Sequence, residues 1–208
     1  MRLIGINGGT FDPIHYGHLR AALEVKQLLG LEQVRFIPCY QPVHRGEPTV
    51  SAEQRCAMIE LAIEAQPEFV LDKIEIERGG PSYMVDTLAE LKALFADGQT
   101  GLVLMMGTDA YAKFCSWYQW SKILQLANIV VMHRPGEDLH LQGEEAREFK
   151  AREVKQFSQL SGQIMELAIT QLDISSTRIR EGLRKGFEAD YLTPFRVVQY
   201  IKKHALYQ

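Results

Sequence analysis

The feature that most constrains this chain is its opening, RLIGINGGTFDPIHYGHL, from Arg2 to Leu19. Leu3 to Ile6 suits a buried strand, Gly8 and Gly9 a turn, and Pro13 closes a short loop. A helix follows whose first turns carry His15 and His18. Such a unit brings bare backbone N–H groups and the positive end of a helix dipole to one place, which makes a seat for phosphate. Histidines three residues apart share a helix face, so both can aim at one anion, and Gly17 between them keeps that surface open. Singly these signals are weak. A glycine turn follows strands in any α/β protein, and a histidine pair suits polar surface or metal ligation equally well. Their coincidence with Thr10, Asp12 and Pro13 in one βα unit, at the strand end where open α/β sheets bind ligands, points to a site.

Two familiar phosphate motifs are excluded. No GxxxxGK precedes a Ser or Thr, and the glycine spacing, Gly5, Gly8, Gly9, is not GxGxxG. The second strand also ends in FIPCYQP, without an acid for a ribose. With a net charge of -3 the chain has no general attraction for nucleic acid or an anionic membrane, so any phosphate site must be a local positive pocket. The cysteines Cys39, Cys56 and Cys115 are scattered and odd in number, which fits reduced thiols and a cytoplasmic location. The longest apolar runs, such as Leu102 to Met106, fall far short of a membrane span.

Taken in order, Arg20 to Leu29 continues the first helix, ended by Gly30, and Val34 to Pro38 is a second strand. A proline-punctuated loop then carries the adjacent cations His44 and Arg45. Ser51 with Gln54 opens a helix over Ala52 to Ala65. The alternation VLDKIEIE predicts a strand, or an irregular edge strand, over Val70 to Glu77. Gly79, Gly80 and Pro81 turn the chain into a helix beginning at Ser82 or Tyr83. Leu102 to Met106 reads as a central parallel strand, followed by Gly107, Asp109 and the aromatics Trp117, Tyr118 and Trp120. Asp109 can meet ribose hydroxyls or cap a helix, and Trp117 can pack in the core or stack on a flat ring. Asn128 to Met132 is a strand leading to His133 and Arg134. Residues Glu144 to Gln156 read as a solvated helix or loop without chemistry, and Ile164 to Ile169 as a last strand. In DISSTRIREG the hydroxyls of Ser175, Ser176 and Thr177 at a helix start, with Arg178 and Arg180, favour a polyphosphate tail. A helix from Pro194 to His204 ends the pattern. No repeat or linker divides the chain, so residues 1–208 are expected to form one domain around a doubly wound, mostly parallel sheet with helices on both faces.

These clusters suit a nucleoside triphosphate and a second substrate with a flat ring and a phosphate. No nucleophile has an obvious base partner, as expected if an ionised phosphate attacks directly and catalysis is alignment plus charge stabilisation. The blocks GGTFDPIHYGHL, FIPCYQPVHRG, RGGPSYMVDTL, LMMGTDAYAKFCSWYQW and ISSTRIR resemble those of the bacterial nicotinate-nucleotide adenylyltransferases. The first block, with its HxGH, is shared across the nucleotidylyltransferase superfamily, and the later blocks narrow the substrate.

The resemblance implies a Rossmann-like enzyme that joins ATP to nicotinate mononucleotide with Mg2+, forming nicotinate adenine dinucleotide and pyrophosphate. It implies His15, His18 and Arg180 as catalytic, with His18 stabilising charge on the transferring phosphate. Gly9, Thr10, Phe11, Gly107, Asp109, Ser176, Thr177 and Arg180 would bind ATP. His44 and Arg45 would hold the mononucleotide phosphate, Trp117 would stack on the pyridine ring, and backbone amides of Met84 and Tyr118 would hold the carboxylate, with Arg134 a further candidate there. No metal ligand from a side chain is implied, magnesium being carried by the ATP phosphates. The sequence departs from the commoner family pattern at Met84, where threonine is usual, and at Val43 and Arg45, where proline and lysine are frequent. A backbone donor survives a side-chain change and Arg45 keeps its charge, so function is expected intact. Other readings stay open: a superfamily relative such as the phosphopantetheine enzyme, a nucleotide-binding regulatory module without turnover, and a histidine-ligated metal hydrolase. The oligomeric state is also open, a homo-oligomer included.

Overall fold

The structure is a computed structural model that describes residues 1–43, 46–136 and 140–208. Its elements in chain order are β1 (Arg2–Gly9), α1 (Tyr16–Leu29), β2 (Gln33–Pro38), β3 (Gln41–Pro42), α2 (Ala52–Ile63), β4 (Phe69–Leu71), α3 (Ile74–Arg78), β5 (Pro81–Ser82) and α4 (Met84–Leu94). There follow β6 (Thr100–Gly107), α5 (Thr108–Tyr111), a 3-10 turn (Phe114–Ser116), α6 (Trp120–Leu126), β7 (Asn128–His133), α7 (Gly143–Arg152), β8 (Ile164–Ala168), α8 (Ser176–Arg184) and α9 (Phe195–Lys203).

Six strands form one sheet in the order β4-β2-β1-β6-β7-β8, and every pairing in it is parallel. Because β1 is followed in space by β2 on one side and by β6 on the other, the winding reverses between β1 and β6. A crevice opens at such a reversal beyond the carboxyl ends of the strands. The sheet is covered on both faces, as β6 shows: Leu102, Leu104 and Met106 join one buried cluster with Val85, Leu88 and Leu91 of α4, while Val103 and Met105 join another with Val25, Met58, Ile59 and Val197. A strand buried on both faces must be apolar at every position, which accounts for the run LVLMM. Each fully buried aliphatic side chain of this kind contributes about 1.5–3 kcal/mol.

Helix ends follow local chemistry. Gly30 stops α1 in the left-handed region at φ 63°, its N–H donating to the Lys26 carbonyl. At α2 the Ser51 hydroxyl and Gln54 side chain cap each other's backbone N–H at 3.3 and 3.0 Å.

Three sequence expectations change. Gly8 and Gly9, expected as a turn, are the last two residues of β1, paired with Ile37 and Pro38 of β2, so the turn of the chain begins only at Thr10. Of Val70 to Glu77 only Val70 and Leu71 are strand, at the sheet edge, and Ile74–Arg78 is helix. The Asp72 carboxylate accepts from the Ile74 N–H at 3.1 Å and starts that turn, so the alternation is coincidental. Glu75, on the polar side of that alternation, is buried and accepts from the Thr87 hydroxyl at 2.6 Å; burial pushes its carboxyl up. In the charged segment α7 is a helix as allowed, yet it is more than a solvated one. Phe149 is buried, and the Glu145 carbonyl accepts from the Tyr111 hydroxyl at 3.3 Å.

Candidate active site

β1 ends at Gly8 and Gly9, and the chain then crosses the crevice as the loop 10–15 before α1 begins. Beside it β6 ends at Gly107, where the short α5 starts and carries Asp109, exposed at the same edge. The sheet topology thus brings the glycine end of β1 and the Gly107–Asp109 step to the same edge at the reversal point. Gly8 has a specific steric need. A Cβ there would stand 2.6 Å from Met84 Cε, because the Met84 side chain reaches from the start of α4 over the end of β1. Gly9 lies under the Phe11 ring.

The loop is held by side chains from remote elements, each donating to a different carbonyl. Arg55 Nη1 of α2 donates to the Thr10 carbonyl at 2.8 Å, and Arg180 Nη1 of α8 to that of Asp12 at 2.6 Å. The Ser176 hydroxyl donates to the Pro13 carbonyl at 2.9 Å, and the Thr193 hydroxyl to that of Ile14 at 2.7 Å. Phe11 sits at φ 50°, a region disfavoured for a residue with a bulky side chain, so the surroundings must impose it. Asp12 is buried, and its carboxylate accepts from the Thr49 N–H and the Tyr207 hydroxyl, both at 2.7 Å.

His15 caps α1 rather than lying within it, and His18 is the third helical residue. The His15 N–H donates to His18 Nδ1 at 3.3 Å, and the two rings stack with centroids 3.7 Å apart. Both rings therefore share one side of the helix start. Phe11 meets His18 edge-on at 5.0 Å. His15 is only 5% exposed; burial lowers its pKa to about 4, so it is a neutral imidazole at pH 7. Gly17 is obligatory for this stack, since a Cβ would lie 2.9 Å from the His15 ring. Cys39, at the end of β2, donates its thiol to the Thr10 hydroxyl at 3.6 Å, and burial pushes that thiol up, so it is no thiolate nucleophile.

At α8 the Ser175 hydroxyl caps the helix by accepting from the Arg178 N–H at 3.2 Å. The Ser176 hydroxyl has its one proton on the Pro13 carbonyl, so it is not a free donor at this helix start. Arg180 Nη2 also lies 3.4 Å from the Thr177 hydroxyl. Arg178 turns outward to Asp173 at 3.3 Å.

Tyr83 and Tyr118 pack with tilted rings, centroids 4.7 Å apart, which ties the start of α4 to the segment after the 3-10 turn. Met84, the first residue of α4, directly follows Tyr83. Trp117 is half-buried, 6.1 Å from the Phe114 ring. Arg134 follows β7 at the same edge, with Nη2 4.0 Å from Asp173. His44 and Arg45 lie outside the described residues.

The sequence did not single out Arg55, Thr193 or Tyr207. Arg55 carried a usable signal: it lies three and four residues before the buried Met58 and Ile59, so it shares their inward face. Thr193 and Tyr207 carried none, their partners being 179 and 195 positions away.

Residues 6–182 match the family model described as cytidylyltransferase-like. The chain is 56% identical over 207 residues to a protein of Hydrogenovibrio crunogenus named "Probable nicotinate-nucleotide adenylyltransferase", covering 100% of this chain and 98% of the relative. It is 44% identical to a protein of the same name from Methylococcus capsulatus, over 99% of each. Among solved structures, the Plasmodium falciparum nicotinic acid mononucleotide adenylyltransferase complexed with NaAD superposes with a TM-score of 0.75 at 18% identity, covering 100% of this chain and 98% of the other, and so shares its fold. The chain belongs to the nicotinate-nucleotide adenylyltransferase family.

Proposed function

We propose that residues 1–208 act as one nucleotidylyltransferase domain that transfers the adenylyl group of ATP to nicotinate mononucleotide. The observation that carries this reading is the stacked His15–His18 pair, set after the Gly8–Gly9 end of β1 where the sheet reverses its winding. A phosphate oxygen of the mononucleotide attacks the α-phosphorus of ATP, the bond to the bridging oxygen breaks, and pyrophosphate leaves. The attacking phosphate is already ionised at neutral pH, so no base is required.

His18 donates to a non-bridging α-phosphate oxygen as charge builds there, and His15, neutral, contacts the phosphates beside it. Gly9, Thr10 and Phe11 line the nucleotide site through backbone groups, and Gly107 and Asp109 meet the adenosine ribose. The amides of Ser176 and Thr177, with the remaining donors of Arg180, take the β and γ phosphates as they become the leaving group. On the acceptor side the Met84 and Tyr118 amides hold the carboxylate, Trp117 stacks on the pyridine ring, His44 and Arg45 take the phosphate, and Arg134 adds positive charge.

Groups facing the cradle are mainly donors: amides, imidazoles and a guanidinium. They suit an anion, whereas magnesium requires oxygen ligands, and both Asp12 oxygens are already engaged. Magnesium would therefore arrive on the triphosphate, where it neutralises charge. Among the described residues no helix is long and apolar enough to cross a membrane, in keeping with a cytoplasmic enzyme.

The test is to incubate the protein with ATP, magnesium and either nicotinate or nicotinamide mononucleotide and to follow pyrophosphate. Release dependent on the nicotinate substrate is expected. Absence of release with either nucleotide defeats the reading, and comparable rates remove only the preference for the acid.

A further inference from the structure

We infer that Arg55 is a positioning residue for phosphoryl transfer, holding the Thr10–Phe11 peptide so that the Phe11 N–H faces the transferring phosphate. The inference rests on the adenylyl transfer proposed above and adds a residue to it.

Arg55 is 1% exposed, and its Nη1 donates to the Thr10 carbonyl at 2.8 Å. Its Nε is buried without a hydrogen-bond partner, and among the described residues no carboxylate lies within ion-pair distance of it. An arginine does not deprotonate in proteins, so α2 keeps a permanent, unpaired charge under the loop. That is expensive, and an apolar side chain of similar volume would serve stability better. Its presence is explained by what it does to the loop.

In a planar trans peptide the carbonyl and the following N–H point in opposite directions. Fixing the Thr10 carbonyl on Arg55 therefore sends the Phe11 N–H away from α2. Among the described residues no protein group accepts from that N–H. Phe11 is also the loop residue at φ 50°, a conformation that relaxes unless its flanking peptides are held. The peptide directly before it, Thr10–Phe11, is held by Arg55, and Arg180 holds the chain one peptide beyond its far side, at the Asp12 carbonyl. Arg180 has a second task at the triphosphate. For Arg55, buried and with the Thr10 carbonyl as its partner, the loop is the task.

The experiment compares R55M, R55Q and R55K with the wild type for kcat, KM for each substrate and thermal midpoint. R55M should lose about 10- to 100-fold in kcat, the scale of a misplaced reacting group, while KM for ATP and mononucleotide stays within about threefold. R55K, which retains a charge and one donor for the Thr10 carbonyl, should recover most of kcat, and R55Q, with a donor and no charge, should fall between. A merely structural arginine would shift the midpoint and leave kcat per folded molecule unchanged. If R55M does not fold, R55K against R55Q decides. Wild-type kcat in R55Q or R55M overturns the inference and leaves the reaction standing. Failure of R55K to fold also overturns it, by making the guanidinium a requirement of the fold. A wild type that releases no pyrophosphate overturns the reaction and with it the role of Arg55.

Discussion

Tyr207 donates its hydroxyl to Asp12 Oδ1 at 2.7 Å, tying the segment after α9 to the loop of the first βα unit across 195 positions. The other Asp12 oxygen accepts from Thr49, so this acid is an anchor whose lone pairs face protein. Around it the four held carbonyls fix the loop from outside, and the donors on its inner side remain for a ligand. Preorganised donors of this kind need no reorganisation when charge develops on a phosphate, which is the advantage of spending several remote side chains on five residues.

Tyr207→Phe removes one partner of a buried carboxylate, and the expected cost is about 1–3 kcal/mol in urea unfolding at pH 7. Burial first, then the Asp12 charge and the bond to it, push the Tyr207 hydroxyl well above its ordinary value. Its stability contribution is therefore complete below about pH 10, the unfolded tyrosine value, and is lost as pH rises beyond that. The Phe variant should show less alkaline loss than the wild type. Parallel stability curves above pH 10 would argue against this bond as the anchor.

His15 gives a dependence at the acid end. Its folded pKa is lowered to about 4, so stability is intact above the unfolded value near 6.5 and declines as pH falls from there toward 4. His15→Asn should flatten that decline by about 1–3 kcal/mol between pH 7 and 4.5, measured as the difference in urea unfolding between the two proteins, since carboxylates titrate in both. Equal slopes would mean that the imidazole is solvated.

Much of this site is written locally and some of it is not. The HYGH spacing and the ISST helix start are contiguous patterns, and each marks a helix start whatever surrounds it, so α1 and α8 follow from them, whereas the glycines read as a turn are the paired end of β1. The sheet order then does what no local pattern can, in pairing β1, which ends at Gly9, with β6, which ends at Gly107. Ser176 shows the limit of a motif: its hydroxyl matches a phosphate donor by type, yet the Pro13 carbonyl claims its proton. Tyr207 is illegible because its partner is set by the path of the whole chain. Val70 to Glu77 misleads for the opposite reason, since a period of two was present and the short-range Asp72 bond to Ile74 overrode it.

Gly17→Ala sets two opposed effects against each other. Alanine is favoured over glycine in a helix interior by about 1 kcal/mol, and by less at Gly17, which lies in the first turn of α1. The new Cβ, however, would stand 2.9 Å from the His15 ring, itself buried, and overpacking of this sort costs about 1–3 kcal/mol. The clash should win: lower thermal stability together with a fall in kcat as the stack is displaced. An active, stabilised G17A protein would show that the His15 ring moves freely.

His18→Ala should lower kcat by about 10²-fold or more, the scale for one lost transition-state donor, with little change in KM for either substrate. The variant leaves the His15 N–H without its His18 Nδ1 acceptor, so kcat is read per folded molecule after a thermal scan. Near-normal turnover would remove His18 from the reaction.

Trp117→Ala separates packing from recognition. The indole is half-buried against Phe114, so truncation costs some stability whatever else it does. Stacking on a flat ring is worth about 1–3 kcal/mol per ring when read by alanine substitution, or about 5- to 150-fold in affinity. The expected result is a rise of that size in KM for the mononucleotide alone, with KM for ATP unchanged because the α8 amides and Arg180 lie elsewhere on the sheet edge. Since the pyridine ring is remote from the bond being broken, kcat at saturation should stay within about threefold. A loss of stability with both KM values unchanged would assign Trp117 to the core.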